Sequence, residues 1–161
     1  MRKRFYDPET YTAHNSIGCW TRRLNNLMTP QAEALFAEED LTFSHWIALM
    51  SLRDGISSTC ADLSRHMNYD SGAITRLVDQ LEKRGLVERL RSKSDRRVVN
   101  LSLTAAGRGL AKSLSARVVE FWNDMLEGFT REEATQLISL LSRLVTRMEV
   151  EPLRAKKARV A

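Results

Sequence analysis

Two short runs in which apolar and polar residues alternate, Leu86-Val-Glu-Arg-Leu-Arg91 and Val98-Val-Asn-Leu-Ser-Leu103, flank the hydrophilic stretch Ser92-Lys-Ser-Asp-Arg-Arg97. This pattern predicts a β-hairpin with a cationic tip. From Lys83 to Arg97 there are seven Lys or Arg (83, 84, 89, 91, 93, 96, 97) against two acids, Glu88 and Asp95, a local excess of five positive charges. The whole chain carries a formal net charge of +5, so the remainder sums to zero. A positive field concentrated on one projecting element attracts a polyanion, and nucleic acid is the first partner to consider.

With 161 residues, 43% of them hydrophobic, the chain can bury one core and carry an appended oligomerisation element. Apolar runs are too short for a membrane span, and the Met1-Arg-Lys-Arg-Phe5 start lacks the apolar segment of a secretory signal. A cytoplasmic protein without a membrane partner is expected. Cys19 and Cys60 show no CxxC pairing and fit reduced thiols. Only seven glycines and three prolines favour long helices and argue against an all-β fold.

Helical periodicity dominates the rest. Ile17, Trp20, Leu24, Leu27 and Met28 form one stripe on a first helix expected over residues 11–28. Thr29-Pro30 suggests a kink or restart, with a second piece continuing to Glu39. Thr42 can cap a helix bearing Phe43, Trp46, Ile47 and Met50 that stops at Asp54-Gly55. A short helix over 59–66 and a turn at Met67-Asn68-Tyr69 follow. Asp70 then caps a helix whose Ile74, Leu77, Val78 and Leu81 share a face, ending at Gly85. Two helices, a tight turn and a hairpin make a winged helix-turn-helix pattern. Thr104 opens a long helix that breaks at Gly128, and Thr130-Arg-Glu-Glu133 is a capping box for a last one. The apolar stripes of these terminal helices need a partner, for which the first helix and a second copy of the chain are available.

The helix after Asp70 turns Ser71, Gly72, Thr75, Arg76 and Asp79 away from its apolar face. Small residues let a helix approach the floor of a major groove, and an arginine can bond guanine in two places. A solvated face with Arg76 paired to Asp79 is the competing reading, which the adjoining basic hairpin disfavours. On the hairpin, Arg91, Lys93, Ser94, Asp95, Arg96 and Arg97 are the candidate DNA contacts. Arg96 and Arg97 are expected to reach a minor groove or flanking phosphates, and Asp95 to hold a neighbouring arginine in one rotamer.

Ala61-Asp-Leu-Ser64, the run from Asp70 to Arg89, Ser94-Asp-Arg-Arg97 and Leu103-Thr-Ala-Ala-Gly107 resemble the MarR family of winged-helix regulators, over about residues 13–149. The family's Asp-x-Arg wing signature falls on Asp95 and Arg97, implying Arg97 as the minor-groove residue. The Asp-Pro pair that often precedes it is replaced by Ser92-Lys93. The resemblance implies a homodimer through the first and last helices, with Ile17, Leu137, Leu141 and Leu144 at its interface. It also implies repression of nearby genes from a pseudo-palindromic operator and release by a small aromatic or phenolic effector. The implied effector site lies between the first two helices, the fifth helix and the reading domain, where His14, Trp20, Arg23, Trp46 and His66 could contribute. Trp20 and Trp46 also sit on apolar stripes and, taken by themselves, read more readily as core residues.

The expected architecture is mainly α with a small β-hairpin wing. Residues 11–40 form an N-terminal dimerisation helix, 41–103 the winged helix-turn-helix, 104–150 the C-terminal dimerisation helices and 151–161 a basic flexible tail. Cys19 offers an alternative, a thiol-based redox switch, although the segment after it supplies Phe43 and Trp46 without a hydroxyl to bond a thiolate. No metal-ligand spacing, cofactor motif, P-loop, GxSxG or HExxH occurs, so neither a metal site, a cofactor nor an enzyme is expected. A helical protein-interaction module without specific DNA binding is the remaining alternative.

Overall fold

The computed structural model describes residues 4–92, 95 and 97–150, and the chain divides into two compact units at residue 118. The basic tail expected over 151–161 lies outside the described residues, as do Lys93, Ser94 and Arg96 of the hairpin.

In the first unit a 3-10 turn, Ala13–Asn15, precedes α1, Ile17–Ala34. The helix therefore starts at the first residue of its stripe rather than at the expected residue 11, because Ser16 caps it by accepting the Cys19 N–H (3.2 Å). The helix also continues through Pro30 rather than restarting there. Pro30 is exposed, so water can satisfy the carbonyl its missing N–H leaves free, and the Gln31 amide donates to the Leu27 carbonyl (3.0 Å). A connector holding a second 3-10 turn, Ala37–Glu39, ends at Asp40 in the left-handed region (φ 50°).

Three helices follow with the boundaries their caps dictate. α2, Phe43–Arg53, begins at a Thr42–His45 capping box and is followed by Gly55 at φ 69°. α3, Cys60–Met67, begins at a Thr59–Asp62 box and ends on Asn68 in the left-handed region (φ 53°). α4, Ser71–Lys83, begins at Asp70, whose Oδ1 accepts the Ala73 N–H (2.9 Å), and Gly85 follows it at φ 68°. The hairpin strands β1, Val87–Arg91, and β2, Val99–Leu103, pair antiparallel from Val87 opposite Leu103 to Arg91 opposite Val99. A further main-chain bond from the Leu101 N–H to the Ser58 carbonyl (2.8 Å) docks β2 on the start of α3.

One core unites these pieces. Phe36 from the connector, Leu49 from α2, Leu63 from α3, Ile74 and Leu81 from α4, and Leu114 from the long helix α5, Ala105–Met125, are all fully buried. His45 adds a polar tie. Its Nδ1 accepts the Thr42 N–H (3.1 Å), so Nε2 carries the proton and donates to Gln80 Oε1 (2.8 Å), joining α2 to α4.

The second unit comprises the end of α5 and α6, Arg131–Val150, separated by Gly128 at φ 89°. The Thr130 N–H donates to the Glu133 carboxylate (2.9 Å) and the Glu133 N–H to the Thr130 hydroxyl (3.2 Å), the predicted capping box. No α6 residue is buried, and Leu137, Ile138, Leu141, Leu144, Val145 and Met148 all face solvent. No helix among the described residues is long and apolar enough to cross a membrane.

Candidate nucleic-acid interface

α4 is amphipathic by construction. Ile74, Leu77, Val78 and Leu81 are buried, whereas Ser71, Thr75, Arg76 and Asp79 are exposed and Gly72 is half-buried. At Gly72 a β-carbon would stand 3.1 Å from Asp70 Oδ1, so the small residue keeps the cap undisturbed. The first-turn N–H groups and the positive end of the helix dipole lie beside Ser71, where an anion is favoured. The Thr75 hydroxyl donates back to the Ser71 carbonyl (2.8 Å).

Asp79 does not pair with Arg76. Its Oδ1 accepts from Arg89 Nη2 of β1 (2.7 Å), and Glu82 binds the other arm of the same guanidinium. Arg89 is raised above its ordinary pKa: burial opposes its charge, and the hydrogen bonds to Asp79 and Glu82 outweigh that opposition. The wing strand is thereby bolted to α4. Asp79 belongs to this bolt while its side chain stays about half exposed beside the wing. Arg89 and Glu82 were missed in the sequence, where an i, i+3 acidic pair on α4 facing a strand arginine was the available signal.

At the wing tip, Ser92 N–H donates to the Val98 carbonyl and Val98 N–H to the Asp95 carbonyl, both at 3.0 Å. Asp95 Oδ1 accepts the main-chain N–H of Arg97 (2.9 Å). Asp95 thus shapes the turn through the backbone, because an Asp side chain reaches the N–H two residues on with little strain. Arg91 and Arg97 are exposed. At the other side of α4, the hydroxyls of Ser44 and Tyr69 meet at 2.9 Å, just ahead of the Asp70 cap.

The five residues considered for an effector do not assemble. The Trp20 indole N–H donates to the His14 carbonyl (2.8 Å), and the Arg23 guanidinium lies 5.9 Å from the Trp20 ring centre. Trp20 is exposed. Trp46 instead stacks on Phe36 at 5.6 Å and is 6% exposed, so it is a core residue: its position in the middle of the α2 stripe leaves it no route to solvent. His66 stands exposed in the last turn of α3.

Cys19 is exposed. Tyrosines do approach its helix turn, from the preceding segment rather than the following one. The Tyr11 hydroxyl meets Ser16 Oγ at 2.6 Å, and the Tyr6 hydroxyl donates to the Asn15 carbonyl (2.9 Å) and accepts the Ile17 N–H (3.0 Å). These bonds brace the start of α1. Ile17, Leu137, Leu141 and Leu144 are exposed in the isolated chain. Among the described residues no group of three or more His, Cys, Asp or Glu could hold a metal ion.

Comparison with known proteins places this geometry. The MarR family model matches residues 41–99. The HTH-type transcriptional regulator SarZ of Staphylococcus haemolyticus is 28% identical over 109 residues, 68% of this chain and 73% of that protein. Among solved structures, a probable transcriptional regulator from Pseudomonas aeruginosa is 30% identical, covering 83% of this chain and 99% of that one with a TM-score of 0.68. A mutant MarR from E. coli complexed with operator DNA is 26% identical, covering 80% of this chain and 92% of that one with a TM-score of 0.69. Nothing in these relatives points to an enzyme. A capped amphipathic helix, a hairpin bolted to it and these likenesses converge: the chain belongs to the MarR family of winged-helix, DNA-binding transcriptional regulators.

Proposed function

We propose that the protein acts as a homodimeric repressor that places two α4 helices in successive major grooves and two wings in the flanking minor grooves of a pseudo-palindromic operator. The observation that carries the reading is the joining of α4 to β1 through Arg89, which holds a groove-sized helix and an arginine-bearing hairpin as one reading head. Ser71, Gly72, Thr75 and Arg76 would face the major groove. Arg97, with Arg91, Lys93, Ser94 and Arg96, would serve the wing, whose tip Asp95 shapes.

The dimer would form through residues 11–40 and 104–150. Its support is the exposed apolar face of α1 at Ile17, Leu24 and Leu27, together with that of α6 at Leu137, Leu141 and Leu144. Faces of this kind are covered in a stable protein. An effector would be a flat aromatic carboxylate or phenol, supported by the exposed Trp20 ring with the Arg23 cation beside it, which suits stacking plus a charge-assisted bond. Such a ligand releases DNA only if it prefers the non-binding arrangement of the dimer.

In vitro selection from random duplexes tests the whole reading. The expected product is a pseudo-palindrome with half-site centres roughly 10 bp apart, the spacing of one helical turn. Enrichment of nothing, with salt-sensitive binding to any duplex, would instead favour a helical interaction module with an incidental basic hairpin.

A further inference from the structure

The connector between α1 and the reading head is held by two arginines, neither of them among the individual residues named for DNA contact or for the dimer interface. Arg84 is the C-terminal cap of α4 itself. Its Nη1 donates to the Asp40 carbonyl (2.7 Å) and its Nη2 to the Glu39 carbonyl. Arg117 of α5 donates from Nη1 to the Leu35 carbonyl (3.2 Å) and embraces the Glu39 carboxylate with both arms (3.0 and 2.7 Å). Glu38 completes the cluster at 3.4 Å from Arg117 Nη2. Glu39 is therefore gripped twice, by its main chain from α4 and by its side chain from α5.

We infer that Arg84 and Arg117 are positioning residues for operator recognition: by clamping residues 35–40 they fix the direction of α1 relative to α4, and so the half-site spacing that the dimer accepts. The inference rests on the dimeric reading above. Three features carry it. Helix ends leave carbonyls without partners, and here Leu35, the cap of α1, and Glu39 and Asp40, at the end of the 3-10 turn, are all satisfied by guanidinium groups. Phe36 is fully buried between these contacts, so the connector cannot swivel without unseating a core ring. Because Arg84 ends the recognition helix, no flexible residue intervenes between that helix and the clamp.

The Arg84 contacts are exposed and contribute little to stability, whereas the Arg117–Glu39 pair is half-buried, so geometry is the effect to look for in variants that stay folded. It would be felt sharply, since one base pair of offset rotates a half-site by about 35° around the duplex.

The test uses the operator selected by the parent protein and versions with one or two base pairs inserted between half-sites. Affinities of parent, Arg84→Ala and Arg117→Ala for each duplex are read by fluorescence anisotropy, with circular dichroism and light scattering confirming fold and dimer. The parent should discriminate strongly by spacing. In each variant the ratio between native and altered spacing should fall by about fivefold or more, the scale of a typical coupling between sites. The slope of log affinity against log salt should not change, because neither arginine is assigned to phosphate. Arg84→Lys should fail to restore discrimination, since an ammonium lacks the fork that bridges successive carbonyls. Arg84 is exposed, so its variants keep the test decisive should Arg117→Ala lose structure. Unchanged ratios in folded variants, or equal weakening at every spacing with a shallower salt slope, would overturn the inference alone. A parent that selects only a single half-site would overturn the dimeric reading and the inference with it.

Discussion

Gly107 passes so close beneath Leu86 that a β-carbon at position 107 would lie 2.0 Å from the Leu86 carbonyl oxygen and 2.9 Å from its carbon. The contact is fixed from both sides. The Thr104 hydroxyl donates to the Gly85 carbonyl (2.6 Å) while accepting the Gly107 N–H (3.0 Å), and the Thr104 N–H donates to the Leu86 carbonyl (3.1 Å). The start of α5 is thus seated directly on the junction between α4 and the wing.

Gly107→Ala is therefore expected to destabilise the protein. A helical alanine gains about 1 kcal/mol over glycine. Forcing two backbones apart costs more, leaving a net loss of about 2 kcal/mol. A thermal melt should show a drop of about 5 °C; an unchanged or raised melting temperature would contradict the close approach.

Arg97 stands exposed at a wing tip shaped by Asp95. Arg97→Ala should weaken operator binding by about 1 to 3 kcal/mol while leaving the melting curve in place. Parent-like affinity at matched salt would remove Arg97 from the interface.

Leu141 lies on the exposed apolar face of α6. If a second copy covers that face, Leu141→Glu buries an unpaired charge, costs several kcal/mol of assembly and abolishes operator binding. Light scattering that finds an intact dimer would redirect the search for the interface.

Acid should loosen the reading head at α3. Asp62 is held below the usual carboxylate range by hydrogen bonds, first from the Thr59 hydroxyl and then from the Ser58 backbone, with Arg65 adding charge at 2.8 Å. A carboxyl depressed in the folded state contributes stability that is fully present above its unfolded pKa of about 4 and fades as pH falls through the lower folded value. Urea midpoints of parent and Asp62→Asn should differ at pH 6 and converge in that acidic window. A gap that is constant with pH would mean the carboxylate contributes nothing specific.

Effector and thiol readings separate in one gel-shift series on parent and Cys19→Ser protein, with an aromatic-acid panel and peroxide side by side. Release of DNA by an aromatic acid from both proteins is expected. A tenfold change in operator affinity needs a ligand preference of about 1.4 kcal/mol for the non-binding state. Release by peroxide alone, lost on Cys19→Ser, would make the protein a redox switch.

Elements whose ends are set by local chemistry were legible from residue order. Thr42 and Asp70 start helices, and Gly55, Gly85 and Gly128 follow the ends of α2, α4 and α5, because a cap or a left-handed turn is decided within a few residues. Pro30 defeated the same logic, since its cost depends on whether water can reach the carbonyl one turn earlier. Trp46 was ambiguous for a related reason: periodicity places it on a stripe without saying whether that stripe has one side or two. The bond between Arg89 and the acids of α4 is a contact between elements, which spacing along the chain does not encode. For the residues proposed to face DNA, the sequence supplied the exposed side of α4 and the charge of the wing, while the fold supplied the bolt between them.

That bolt alters what the operator can draw on. Seven basic residues crowd the stretch from Lys83 to Arg97, yet Arg84 is turned to main-chain carbonyls and Arg89 to two carboxylates. A census of cations in the sequence therefore overstates the counterions that each protomer can displace from a duplex. Among the described residues the cations left over include exposed Arg91 and Arg97 of the hairpin and Arg76 of α4, so attraction to DNA would be weighted toward the wing, with Arg76 alone of the four residues proposed for the groove adding charge.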